Sequence, residues 1–158
     1  MNYIVAYHTD VGLRKHTNQD SVAVKIIDTP KGRAVFAMVC DGMGGLSSGE
    51  LASKEVIQTY CTWFDREFSQ MAMEDSYDSD VVIQQWRQIA MDENDRIGSY
   101  GSSAGVSMGT TLSAILLYRN EYLIVHVGDS RIYKMTGEGI RQMTEDQSVV
   151  AREIALGN

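Results

Sequence analysis

VCDGMGGLSSGELASK, residues 39–54, joins two kinds of sequence pattern. The stretch begins at the end of an apolar run, passes Asp41 and two glycine steps, and then takes up the four-residue spacing of a helix. An unpaired carboxylate at the end of a buried strand is costly, so Asp41 needs a partner. The stretch therefore predicts a strand-to-helix turn in which Asp41 is either solvated or close to a cation.

The residues before this stretch predict a β-hairpin. Residues 20–27, DSVAVKII, are rich in β-branched side chains. Residues 33–40, RAVFAMVC, are almost continuously apolar, as in a strand that is covered on both faces. If the two strands pair as neighbours, Asp20 and Asp41 lie at the same end of the sheet, a register that the sequence leaves open.

Two long helices are predicted after the stretch. Apolar residues recur every four positions, at Ala52, Val56, Tyr60 and Phe64. A capping box of Ser47 and Glu50 begins this helix. A second helix is expected over residues 80–97, with Asp78 or Ser79 as its cap.

The second half of the chain adds strands. Residues 98–109 are rich in glycine and serine, which predicts a flexible segment. Strands are then expected over residues 110–119, 121–128, 131–136 and 140–144, and a short helix over residues 145–158. Strands and helices do not alternate regularly, so we predict a layered α+β domain whose mainly antiparallel sheet is covered by helices.

Length and charge limit the function classes. The chain has 158 residues, which predicts one domain over residues 1–158. Its net charge of −7 argues against partners such as nucleic acid or a membrane surface, which need a basic surface. Cys40 and Cys61 lack metal-site spacing and are predicted to be reduced core thiols. With no signal-like start and no apolar run of about 20 residues, we expect a cytoplasmic protein.

Three aspartates are predicted at strand ends, beside glycines or turns. Asp129, in HVGDSRIY, joins Asp20 and Asp41 in this group. Packing alone does not explain three such acids. Mg²⁺ and Mn²⁺ prefer oxygen ligands, which carboxylates and backbone carbonyls supply. Asp41 and the carbonyl of Gly42 would therefore suit one corner of a metal site.

Five short segments occur in a specific order. They are GLRKHTNQD, VCDGMGGLSSGELAS, MGTTL, VGDSRIY and MTEDQS, and the similarity runs from Thr9 to about Leu156. In this order they resemble the metal-dependent serine/threonine protein phosphatases of type 2C, especially the bacterial branch. The resemblance implies an α-β-β-α sandwich with two mainly antiparallel sheets flanked by helices. It also implies hydrolysis of phosphoserine and phosphothreonine in proteins by a water that two Mn²⁺ or Mg²⁺ ions activate.

The same resemblance implies roles for the aspartates. Asp41 matches the family's metal-bridging aspartate, Gly42 supplies its backbone carbonyl, and Asp20 matches an acid that orients metal-bound water. Asp129 matches the aspartate of a further, weaker metal position.

Three positions depart from the family pattern. Lys15 replaces the arginine that usually holds the substrate phosphate; a lysine donates as a point charge, and the adjacent Arg14 is the alternative donor. Gln19 replaces a glutamate, so one acidic group near the metals is absent. Met43 replaces a histidine, as is common in the bacterial branch.

Members of the family continue beyond the position of Asn158, with two further metal-binding aspartates and the closing strands. The resemblance thus predicts a phosphatase-type domain that lacks its C-terminal part. A low metal affinity is expected, together with unpaired strand edges that favour a homodimer or strand exchange. The alternative is a catalytically inactive phosphatase-like module that binds phosphoproteins or regulates a partner. A bacterial signalling role is implied by the resemblance only.

Overall fold

The computed structural model describes residues 2–13, 16–44 and 48–147. The elements in these ranges are β1 Asp20–Thr29, β2 Gly32–Gly44, α1 Ser48–Trp63, α2 Ser69–Met73, α3 Ser79–Ala104, β3 Met108–Thr110, β4 Leu112–Tyr118, β5 Glu121–Val127, β6 Tyr133–Thr136 and β7 Gly139–Gln142. A π-helical turn, Phe64–Phe68, joins α1 to α2. None of the helices in these ranges is both long and apolar enough to span a bilayer.

The large sheet is antiparallel and has five strands. Its order is β1-β2-β4-β5, and β3 pairs with the C-terminal end of β2, residues 42–44. The predicted hairpin is confirmed, because β1 and β2 pair from Asp20 opposite Asp41 to Thr29 opposite Gly32. Strands β6 and β7 form a separate two-stranded sheet. The predicted α+β class with antiparallel sheets is therefore confirmed.

The core lies between one face of the large sheet and the helices. Alternate residues of β2 point into it, and Phe36, Met38 and Cys40 are almost fully buried. Phe36 is at its centre, with ring contacts to four aromatic side chains, Tyr60, Trp63, Phe64 and Trp86. The side chains that the helical spacing predicted for the apolar face are all buried: Ala52, Val56 and Tyr60 of α1, and Phe64 of the turn that follows it.

Helix α3 confirms one boundary and corrects another. The Asp78 side chain accepts a hydrogen bond from the Asp80 amide at 2.8 Å, which makes it the predicted N-cap. The helix continues to Ala104, and its C-cap is Gly105, whose φ of 66° is left-handed. Residues 98–104 are therefore helical, and the prediction of a flexible 98–109 segment is wrong.

Two predictions about helices concern residues that the structure does not describe. The first is the capping box, because Ser47 lies outside the described residues. The second is the last helix, because residues 148–158 also lie outside them; its first three residues, 145–147, are described and are not helical.

The second face of the large sheet is also apolar, and the helices do not cover it. It carries Val24, Ile26, Val39 and Ile115, of which Ile26 is 50% and Val39 43% exposed. We call this surface the second sheet face. Its side chains alternate along the strands with those of the core, so both faces are apolar, a pattern typical of strands that are covered on both faces.

We expect the protein to lose stability as the pH rises above about 9. Burial raises the pKa of the Cys40 thiol from 9.0 to about 12, and it also raises the pKa of Tyr60. Between pH 9.0 and about pH 12 the Cys40 thiol is ionised in the unfolded chain but still protonated in the folded chain, so the unfolded chain binds fewer protons. The contribution of Cys40 is fully present below pH 9 and falls by about 1.4 kcal/mol per pH unit above it.

Urea unfolding between about pH 8 and about pH 11 measures this slope. Cys40→Ala should flatten the slope by about one proton. Cys61→Ala is the comparison, because Cys61 is only half-buried and should change the slope less. An unchanged slope in Cys40→Ala would contradict the prediction.

Candidate functional site

Asp20 and Asp41 lie directly opposite each other on neighbouring strands. The Gly42 amide donates to the Gln19 carbonyl at 3.2 Å. The backbone N–H and C=O of Asp41 are both used on the other side, by Thr111. Asp20 and Asp41 are therefore a non-hydrogen-bonded pair, the closer kind, with Cα atoms about 4.5 Å apart. The strands do pair as neighbours, so the expectation that both acids lie at one end of the sheet is confirmed, and the structure supplies the register that the sequence left open.

Asp129 lies at the same end of the sheet. Strand β5 pairs with β4 up to Val127 opposite Leu112, so the residues just after β5 lie beside those just before β4. Gly128 has a φ of 109° and packs against the Thr111 side chain. Asp129 follows it and is exposed. We call this end of the sheet, with Asp20, Asp41 and Asp129, the aspartate edge.

The three acids are not equally close. Asp20 and Asp41 are adjacent, whereas Asp129 is separated from Asp41 by two strand spacings, about 10 Å. Across the described ranges 2–13, 16–44 and 48–147, no three His, Cys, Asp or Glu side chains are grouped as a metal-binding cluster. The structure thus brings together one close pair and places the third acid nearby.

The close pair fits a hard cation. Like charges directly opposite on paired strands repel each other, and a cation between them reverses that cost. Both side chains offer only oxygen atoms, the ligands that Mg²⁺ and Mn²⁺ prefer. Both residues are exposed at the end of the sheet, so an ion and its water ligands have access.

Hydroxyl side chains far apart in the sequence fix the backbone around this pair. The Thr111 hydroxyl accepts a hydrogen bond from the Asp41 amide at 2.9 Å. It is also hydrogen-bonded to the Ser130 hydroxyl at 2.9 Å. The Ser53 hydroxyl, from α1, donates to the Gln19 carbonyl at 2.7 Å. The sequence showed no sign of these roles for Thr111 and Ser53, since short-range patterns do not reveal contacts across 70 or 34 positions.

The first turn of α1 packs directly on the strand that carries Asp41. A Cβ atom on Gly42 would lie 2.1 Å from the carbonyl oxygen of Gly49, and one on Gly49 would lie 2.8 Å from the carbonyl carbon of Gly42. Only two facing glycines permit this approach. Gly42 of the DGMGG segment is thus needed for the packing of α1 on β2.

Gln19 is buried behind the acid pair. Its side-chain amide donates to the Gly44 carbonyl at 3.2 Å. A glutamate, which has no amide proton, could not make this bond when ionised. The glutamine that departs from the family pattern therefore has a structural use at this position.

Two other polar residues near this end of the sheet have structural contacts. His126 lies in β5 on the second sheet face, where Ser113 and the Glu145 carbonyl contact its two ring nitrogens at 2.9 and 3.1 Å. Arg131 pairs with Asp146, with Nε 2.8 Å from Oδ1. This guanidinium lowers the pKa of the Asp146 carboxyl. Arg14 and Lys15, predicted to bind phosphate, lie outside the described residues.

Comparison with known proteins gives a consistent result. Residues 8–155 match the family model Protein phosphatase 2C. The serine/threonine phosphatase stp of Listeria innocua is 30% identical over 154 residues, which are 96% of this chain and 57% of that protein. Protein phosphatase PhpP of Streptococcus pneumoniae is 30% identical over 152 residues, 94% of this chain and 57% of that protein. The chain thus spans 57% of the length of these relatives.

Solved structures agree with this result. The serine/threonine phosphatase of S. agalactiae aligns with a TM-score of 0.76 and 27% identity, over 95% of this chain and 58% of that one. The catalytic domain of the serine/threonine protein phosphatase PstP, in complex with two manganese ions, aligns with a TM-score of 0.74 and 28% identity, over 95% and 58%. The match over residues 8–155 includes the whole aspartate edge, and the chain therefore belongs to the type 2C protein phosphatase family.

Proposed function

We propose that this protein hydrolyses phosphoserine and phosphothreonine in other proteins, using Mn²⁺ or Mg²⁺ at the aspartate edge. The observation that carries the proposal is the direct pairing of Asp20 with Asp41. The names of the relatives, serine/threonine phosphatase and protein phosphatase, support the choice of reaction. The manganese ions named for the PstP structure support the choice of metal.

The aspartates have distinct roles in this proposal. Asp41 and the Gly42 carbonyl hold the cations, Asp20 accepts a hydrogen bond from a water and so orients it, and Asp129 contributes to a weaker cation position. When bound, the cations lower the pKa of water and offset the phosphate charge. Thr111 keeps the Asp41 backbone in place through its hydroxyl.

The phosphate donors in this proposal are Lys15 and Arg14. A phosphate group needs cationic donors close to the cations, and these two basic residues precede β1, which begins at the aspartate edge. Arginine can donate two parallel hydrogen bonds to phosphate, whereas lysine acts as a point charge.

We expect Asp41→Asn to lower the Mn²⁺-dependent release of phosphate from a phosphothreonine peptide by at least about 100-fold. Changes to residues that only hydrogen-bond to a metal ligand already cost about 10–100-fold, and this variant changes a proposed direct ligand. Asp28→Asn is the matched control, because Asp28 lies on the same strand as Asp20 but at the opposite end, paired with Arg33. The control should retain the activity of the parent.

A second measurement separates metal binding from hydrolysis. Mn²⁺ should broaden the amide NMR signals around Asp20 and Asp41 in the parent, and much less in Asp41→Asn. Hydrolysis by the variant within tenfold of the parent would refute the proposed site. Metal binding without any hydrolysis by the parent would instead support the inactive phosphatase-like module.

We also propose that the protein acts in signalling in the bacterial cytoplasm. The relatives come from bacteria, and protein dephosphorylation is a signalling reaction. Cys40 and Cys61 are both free thiols, the form that a reducing compartment maintains.

A homodimer formed through the second sheet face is proposed as well. Ile26, Val39 and Tyr122 are each more than 40% exposed there, and burying such a surface is favourable. Sedimentation velocity should show a dimer that Val39→Asp dissociates while the circular dichroism spectrum stays unchanged. A monomer at all accessible concentrations of the parent would refute this proposal.

A further inference from the structure

Glu93 is a carboxylate buried inside the helical layer. It lies on α3 and is only 2% exposed. Its Oε1 accepts a hydrogen bond from the Thr59 hydroxyl at 2.8 Å and lies 3.2 Å from Nη1 of Arg96. Its Oε2 is also buried, and it has no hydrogen-bond partner among the residues that the structure describes. A buried carboxylate oxygen without a donor is costly, so a donor of some kind is expected there.

The ion pair with Arg96 does not account for Glu93. Arg96 already donates to Glu55 at 2.8 Å, and its side chain is 57% exposed, so solvent can satisfy it. Its contact with Glu93 reaches Oε1 only. The salt bridge therefore leaves the buried Oε2 without a donor among the described residues.

A cavity of about 190 Å³ lies beside Glu93, between the helices and the sheet. Most of its wall is apolar and comes from Val56, Ala90, Ile97, Met108, Leu112 and Val127. Asn94, Gly98 and Val127 are exposed, which leaves the cavity open to solvent on that side. Glu93 therefore supplies the only acidic group in the described wall of an otherwise mainly apolar cavity.

Size and chemistry define the occupant. A dry apolar cavity of about 150 Å³ takes up benzene, so this cavity has room for a ring with a short substituent. An apolar body gains from the aliphatic wall, and a positively charged group gains from the negative charge of Glu93 in that wall. A carboxylate also discriminates against anions by repulsion.

We propose that this cavity is a binding site for a small organic amine, with its apolar body against the aliphatic wall and its ammonium group on the side of Glu93. The inference does not depend on the proposed phosphatase activity, because none of the residues at the aspartate edge that were assigned to metal or phosphate lines the cavity. The cavity does reach Thr110, the residue that pairs with Gly42.

The test compares two molecules of the same shape on the folded parent protein. Benzylamine carries the ammonium group, and ethylbenzene replaces it with a methyl group. Amide NMR titration at matched concentrations near 1 mM should shift the signals of Ala90, Ile97 and Gly109 with benzylamine, with an affinity at least tenfold higher than for ethylbenzene.

Two variants make the test specific. Glu93→Gln preserves shape and the acceptor Oε1 but turns the second oxygen into a donor, so benzylamine should bind at least tenfold more weakly. Acetophenone, which offers an acceptor, should bind this variant more tightly than the parent. Glu55→Gln is the matched control, since it also removes a partner of Arg96 but lies outside the cavity wall, and it should leave benzylamine binding unchanged.

Three results would overturn the proposal. Equal binding of benzylamine and ethylbenzene would show a cavity without a role for the carboxylate. No shift of the cavity amides with either molecule would show that nothing of this class binds. A long-lived water detected at Glu93 in the presence of benzylamine would show that water satisfies Oε2. If Glu93→Gln does not fold, the comparison of benzylamine with ethylbenzene on the parent still tests the proposal. A cavity-filling Ala90→Met variant, which should bind neither molecule, then shows that the shifts come from this cavity.

Discussion

Substitution of Gly42 by alanine is expected to lower the free energy of unfolding by about 3 kcal/mol or more. The added Cβ would lie 2.1 Å from the Gly49 carbonyl oxygen and 2.5 Å from the Gln19 carbonyl oxygen. Both are backbone atoms, which cannot rotate away as a side chain can. Either β1 or the start of α1 must therefore move away from β2.

Two further glycines give a graded series. Gly49→Ala places its Cβ 2.8 Å from the nearest atom, a milder overlap, so its cost should be smaller than that of Gly42→Ala. Gly98→Ala, in the interior of α3, meets nothing within 4 Å and should stabilise the protein by about 0.5–1 kcal/mol through helix propensity.

Urea unfolding followed by circular dichroism measures all three variants. The expected order of stability is Gly98→Ala, parent, Gly49→Ala and Gly42→Ala. Mn²⁺ binding should fall in parallel for Gly42→Ala, because the strand that moves carries Asp41. A Gly42→Ala protein within about 1 kcal/mol of the parent would refute the close approach of helix and strand.

The hairpin shows what the sequence could predict. The two apolar runs and the turn between them fix strand identity, and the alternation of side chains allows few registers. The hairpin itself follows from these local features, whereas the direct pairing of Asp20 with Asp41 is a register that only the structure shows. Prediction succeeds here because neighbouring strands with a short connection depend mainly on nearby residues.

The C-terminal part of α3 shows why prediction failed. Gly98, Gly101 and Gly105 were interpreted as signs of flexibility. Gly101 is instead buried, and a Cβ there would lie 2.8 Å from the Val106 carbonyl oxygen. The glycine permits close packing of the chain after the helix, and that tertiary contact outweighs its low helix propensity.

The sequence indicated the acids of the candidate site but not the hydroxyl side chains that hold the backbone around them. The aspartates stand out because a carboxylate at the end of an apolar strand is unusual in composition. The hydroxyls of Ser53 and Thr111 do not, since serine and threonine are common at helix starts and in strands. Their roles depend on which strands become neighbours, which one sequence without its fold does not reveal.

Phe36→Ala is expected to cost about 3–5 kcal/mol of unfolding free energy, the range for a buried phenylalanine that leaves a cavity. Phe36 is 0% exposed and lies in the middle of β2. Its ring is 5.5 Å from that of Phe64 and 5.7 Å from that of Trp86. These rings come from the helical layer, so the variant removes the side chain that joins that layer to the sheet.

Ile26→Ala is the control for this variant, because Ile26 is a large apolar residue of the same sheet on the second sheet face, 50% exposed. In a dilute, monomeric sample its loss should cost about 1 kcal/mol or less, since a half-exposed side chain returns little new surface to water. Urea unfolding of both variants at a low and a high protein concentration compares the two faces. The cost of Ile26→Ala should rise at the high concentration, where the proposed homodimer covers the second sheet face, and this extra cost should disappear on dilution.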